Sequence, residues 1–265
     1  MKCLLLRFDA PLISFGAPMV DQYGVVQRFP ALSMLTGLFG NALGWDHRDT
    51  GLLTELQDRV RYAARIDRRG EAIVDYQTVD LGKPWMLPEK AGWTTAGRIA
   101  VRGGGSSEGT HIRFRHYWAD SVHTVAVALV DDRTPTIGDI ATALQSPARP
   151  LFLGRKTCLP ATPIFHGLVE APSLLVALSV ETRVARGDDG PLAATWWVDD
   201  GAKEVEAGRS TNGKGAALHE SAVGGGLGAR FVAVTDERDW KNQVHVGRRT
   251  MIEGMIDVDS SGDPR

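Results

Sequence analysis

Cysteine is scarce. Only Cys3 and Cys158 occur in the 265 residues, too few and too far apart for a metal-ligand spacing or a disulfide framework, and a reducing cytoplasm is the expected setting. No apolar run reaches the ~18–20 residues that span a bilayer. The opening MKCLLLRFDAPLISFG is broken by Arg7 and Asp9, unlike the uninterrupted core of a secretory signal. The GxxxxGKS/T phosphate loop and the HExxH zinc helix are both missing. No repeat of fixed period occurs. Net charge is only −2, which argues against a generic nucleic-acid sponge.

What is present is an ordinary globular composition, 43% hydrophobic and 23% charged, with charge unevenly placed. Residues 1–165 carry three more cations than anions, and residues 166–265 five fewer. A local basic groove for an anion is compatible with that asymmetry. Residues 2–9 (KCLLLRFD) read as a buried strand, 28–45 as a helix, 59–67 and 122–132 as strands, and 137–147 as an amphipathic helix stopped by Pro147. Residues 150–160 (PLFLGRKTCLP) read as a last short strand and turn. The order is βαββαβ, a ferredoxin-like α+β plan with a large insertion between its middle strands. After residue 165, SLLVALSVETRVA, ATWWVDD and RFVAVTDERDW read as strands of a smaller β-rich carboxyl-terminal part. Residues 208–229 read as a mobile loop and SSGDPR as a frayed tail. The domain division is 1–165 and 166–265, with the insertion spanning about 76–118.

The helical stretch RFPALSMLTGLFGNALGW has one broad apolar face and, nearly opposite, a stripe of Ser33, Gly37, Gly40 and Gly44. Each helical glycine costs about 1 kcal/mol relative to alanine. A stripe without side chains permits close approach to the helix backbone. Another protein segment and a phosphate chain, the latter aided by the helix amino-terminus after Pro30, fit equally well.

Residues 97–120 (GRIAVRGGGSSEGTHIRFRHYWAD) place Arg98 and Arg102 on one face of a first arm. Arg113, Arg115 and Tyr117 alternate on a second arm beyond a Gly-Ser tip. Two basic ribbons with aromatic neighbours suit a nucleic-acid backbone and stacked bases. Arg155 and Lys156 beside Gly154, and Arg248 and Arg249 after Gly247, are weaker anion signals. Seven histidines are scattered, and only His111 and His116 lie in the basic hairpin, where one could serve as a base toward a ribose 2′-hydroxyl. That catalytic reading is the minor one. No catalytic residue, metal or cofactor is assigned.

Taken in order, five stretches resemble a known family. They are LLLRFDAPLISFG, Arg28-Phe29-Pro30 with Gly37, Gly40 and Gly44, DYQTV (75–79), FRHYWAD (114–120) and LFLGRKTCLPATPIF (151–165). The set is similar to the CasD family of type I-E CRISPR Cascade subunits, within the RAMP superfamily. The resemblance implies an RRM-like ferredoxin domain with a protruding thumb hairpin, and a non-catalytic role. It implies partners too: the 5′ handle of a guide RNA (crRNA), the complex's backbone and large subunits, and target DNA indirectly through the complex. No membrane is involved. Arg28, Ser33, Gly37, Gly40, the thumb arginines and Gly154-Arg155-Lys156 are then candidate RNA contacts. Leu32 and Met34 replace a cation and a glycine of many relatives, and Gln77 replaces a family histidine, which favours binding over cleavage. A metal-independent endoribonuclease and a structural adaptor without RNA contact are the alternative functions.

Overall fold

The run KCLLLRF lacks alternation because both of its faces are buried. Leu4, Leu6 and Phe8 enter one core, and Cys3 and Leu5 another. They lie in β1 (Lys2–Ile13) of a computed structural model that describes residues 1–18, 22–80, 110–181, 191–197 and 229–258. After β1 come β2 (Tyr23–Gly24), α1 (Leu32–Ala42), α2 (Thr50–Arg59), β3 (Val60–Arg68), β4 (Glu71–Asp80), β5 (Thr110–Leu129) and α3 (Ile137–Gln145). The chain continues through β6 (Phe165–Glu170), α4 (Leu174–Val180), β7 (Leu192–Trp197), β8 (Arg230–Val234), β9 (Glu237–Asp239), β10 (Val244–Val246) and β11 (Arg249–Ile256).

Strands β1, β3, β5 and β6 lie in the order β6-β1-β5-β3, all antiparallel. With α1 and α3 packed on one face, this is the ferredoxin-like arrangement. A Thr136–Asp139 capping box starts α3 and fixes where the chain leaves the sheet. The carboxyl-terminal strands β7, β11 and β8 extend the same sheet from the β3 edge. On the opposite face α4 packs over a layer rich in alanine, including Ala63, Ala126, Ala128 and Ala194.

Three expectations are corrected. Residues 151–160 form no strand. Leu153 and Cys158 are fully buried, but in a turn held by Leu153 N–H to Cys158 O and Cys158 N–H to Arg155 O, both 2.8 Å, and the fourth strand is β6. The stretch after Ser173 is helical rather than extended, because the Ser173 hydroxyl caps it by accepting from Val176 N–H. Finally, the partner of β5 over residues 110–119 is β4. Arg115 stands opposite Asp75 and Arg113 opposite Gln77. Arg98, Arg102 and the hairpin tip lie outside the described residues, as do residues 208–228 and the tail.

Candidate nucleic-acid interface

The turn after β1 and the turn at 153–156 lock together. Ser14 N–H donates to Leu153 O at 3.1 Å, and Gly154 adopts φ +103° where a Cβ would overlap the Ser14 carbonyl. This brings Arg155 back into the protein. Its Nη1 donates to His116 O (2.7 Å), its Nη2 to Gly24 O (2.8 Å), and its Cζ lies 4.8 Å from the ring centre of buried Tyr117. Both expectations for this pair change. Arg155 is a clamp joining the turn, β2 and the base of β5, and Tyr117 is covered by a guanidinium rather than open to a base. Lys156 alone projects its charge outward.

The amino-terminus of α1 is also occupied. Leu32 N–H donates to Asp236 Oδ2 (2.7 Å) and Ser33 N–H to Asp236 O (3.0 Å), so a carboxylate from the far end of the chain takes the position proposed for phosphate. The glycine stripe divides. Gly37 faces Trp240, whose Cη2 lies 3.6 Å from where a Cβ would stand, and Gly40 faces Leu53 of α2. Gly44 lies beyond the helix in a left-handed turn. At Gly40 the close approach is therefore internal packing. Gly40→Leu is expected to destabilise the protein by about 1–3 kcal/mol through overpacking, the reverse of the gain at an exposed helical glycine. A denaturant titration gives the sign.

Between these elements lies an open cleft of about 610 Å³. Ser33 and Gly37 of α1, Gly154, Arg155 and Lys156 of the turn, and Arg238, Trp240, Gln243 and His245 of β9–β10 all line it. Among the described residues three cations border it and no carboxylate does. Of the β9–β10 wall only β9 falls in a stretch read as strand, RFVAVTDERDW, and no sequence pattern marks the rest. Its strands have three residues each, too short for a period-2 signal.

The hairpin leads toward the cleft. Arg113 and Arg115 are exposed and share the face of β5 that ends at Tyr117 beneath Arg155. The other face carries Tyr76 and Phe114, with Tyr23 stacked on Phe114 at 5.1 Å. Arg28 is exposed beside Phe29, away from the cleft lining. Arg248 is exposed, whereas Arg249 is 9% exposed and cannot be an open phosphate contact. It sits between Trp197 and Tyr62 and donates to both Asp236 oxygens, because burial demands a full set of partners for the guanidinium.

A family model described as CRISPR-associated protein (Cas_Cas5) matches residues 3–259. The CRISPR system Cascade subunit CasD of Escherichia coli (strain K12) is 31% identical over 168 residues, 63% of this chain and 71% of that protein. One solved chain, from a CRISPR RNA-guided surveillance complex, superposes with a TM-score of 0.61 at 21% identity, over 97% of this chain and 90% of its own. A crystal structure of a Cas protein gives 0.59 at 22% identity, over 96% and 95%. At these identities the two structures establish a shared fold.

Proposed function

The chain belongs to the CRISPR-associated Cas5 family, and from that premise we propose that it is a non-catalytic Cascade subunit holding the 5′ handle of the guide RNA at one end of the assembly. The cleft carries the proposal: Arg155, Lys156 and Arg238 border it, with no opposing carboxylate among the described residues. The arginine face of the β4–β5 hairpin supplies a track into it. A single strand laid along this surface meets charge at the hairpin and a shaped wall at α1 and β9–β10. Arg155 serves by holding the wall in place, and Lys156, Arg113 and Arg115 by meeting phosphates. Handle RNA joins this subunit to its neighbours, and base pairing in the guide reads the target.

Binding of handle RNA, followed by fluorescence anisotropy across a salt series, tests the reading. Replacing Arg113, Arg115 and Lys156 with alanine is expected to reduce the log–log salt slope by about 0.7 for each phosphate that is no longer neutralised. An unchanged slope refutes the role of these three cations. The same RNA incubated with the protein in EDTA is expected to stay intact, and site-specific cleavage would favour the endoribonuclease reading.

A further inference from the structure

Buried polar atoms without partners are rare in folded proteins. Among the described residues three such nitrogens, Arg238 Nε, Trp240 Nε1 and His245 Nδ1, lie within the short β9–β10 hairpin. All three residues line the cleft, and Trp240 is only 8% exposed. Arg238 and His245 stand directly opposite in the ladder, and the Arg238 guanidinium lies 5.7 Å from the Trp240 ring centre.

The hairpin is built to hold this arrangement. Gln57 of α2 grips the Arg238 backbone from both sides, donating to its carbonyl and accepting from its N–H, each at 3.1 Å. The Gln243 amide accepts from Arg238 Nη2 (2.9 Å) and donates one of its two N–H groups to Trp240 O, which fixes the Arg238 guanidinium against the turn. Asp239 closes the turn by accepting from Lys241 and Asn242 N–H, both 2.9 Å. What remains open are donors: one on a permanent cation, one on an indole, and one on the imidazole tautomer that carries its proton at Nδ1. An entering group that accepts several hydrogen bonds satisfies them together. A nucleobase edge mixes donors with acceptors, whereas a phosphate offers acceptors alone and complements the charge.

Resting on the RNA reading of the cleft, we propose that Arg238, Trp240 and His245 form a subsite for one phosphate group of a single-stranded RNA. Trp240→Phe in the full-length protein isolates the effect, since it removes one N–H and keeps an aromatic ring against Gly37. The melting temperature of the free variant is expected to hold or rise, while affinity for handle RNA falls about tenfold. Neutral methylphosphonate groups placed one linkage at a time, with the 5′ end tested as hydroxyl and as phosphate, locate the group bound. Wild type is expected to lose about tenfold at one position, and the variant less than twofold there. Sensitivity at an internal linkage or at the 5′ phosphate supports the subsite and identifies its occupant. Wild-type RNA affinity in the variant, or equal sensitivity of both proteins at every position, overturns it. A wild-type protein that binds no handle RNA would instead overturn the proposed function itself.

Discussion

Arg249→Ala is expected to lower the free energy of unfolding by about 3–5 kcal/mol, the range for breaking a buried ion pair from one side. Asp236 is 1% exposed, and Arg249 meets its oxygens at 2.7 and 2.5 Å while also donating to the Tyr62 hydroxyl at 2.9 Å. Asp236 in turn caps α1. Truncating the arginine strands a buried carboxylate, opens space between Trp197 and Tyr62, and loosens the link between the carboxyl-terminal strands and the helix that lines the cleft. Arg248 is the internal control. It is exposed, and Arg248→Ala should stay within about 0.5 kcal/mol of wild type. Urea unfolding of both variants measures the difference, and equal stabilities would show that the buried arginine is not a lock.

Gly154→Ala is expected to cost about 3 kcal/mol or more, from left-handed strain together with overlap of the new methyl and the Ser14 carbonyl. The turn cannot move away cheaply. Leu153 is fully buried, and Arg155 ties the same turn to Gly24 and His116. Any relief must shift the wall that carries Lys156, so RNA affinity should fall with stability. Gly16 provides the contrast: it also lines the cleft, but a Cβ there meets nothing within 4 Å. Gly16→Ala should leave the melting curve within about 0.5 kcal/mol of wild type. If both variants melt alike, the interlocked turns do not fix the cleft wall.

Much of the fold is legible in the sequence. Apolar, β-branched stretches mark β1, β3 and β5, and the amphipathic pattern stopped by Pro147 marks α3. The misplaced fourth strand has a physical cause: Leu153 and Cys158 are buried as a strand's residues would be, but Gly154 turns the chain between them. Burial alone does not distinguish a packed turn from a strand. Ser173 is the readable signal for α4, a cap immediately before an apolar run. At the site, Ser33, Gly37, Gly154 and Lys156 stand out by pattern and do converge on one cleft. Arg155, Tyr117 and Arg249 turn inward because carbonyls, rings and a carboxylate distant in sequence complete their shells. No local pattern encodes such partners. The β9–β10 wall depends likewise on Gln57, far away in the chain.

Cross-linking tests the central claim most directly. Handle RNA carrying photoreactive uridines is bound to the full-length protein and irradiated, and the attached peptides are identified by mass spectrometry. RNA lying in the cleft predicts adducts on residues 14–17, 152–156 and 237–246, competed away by unlabelled handle RNA. Adducts confined to surfaces outside the cleft, or none above a scrambled RNA of equal length, would contradict it.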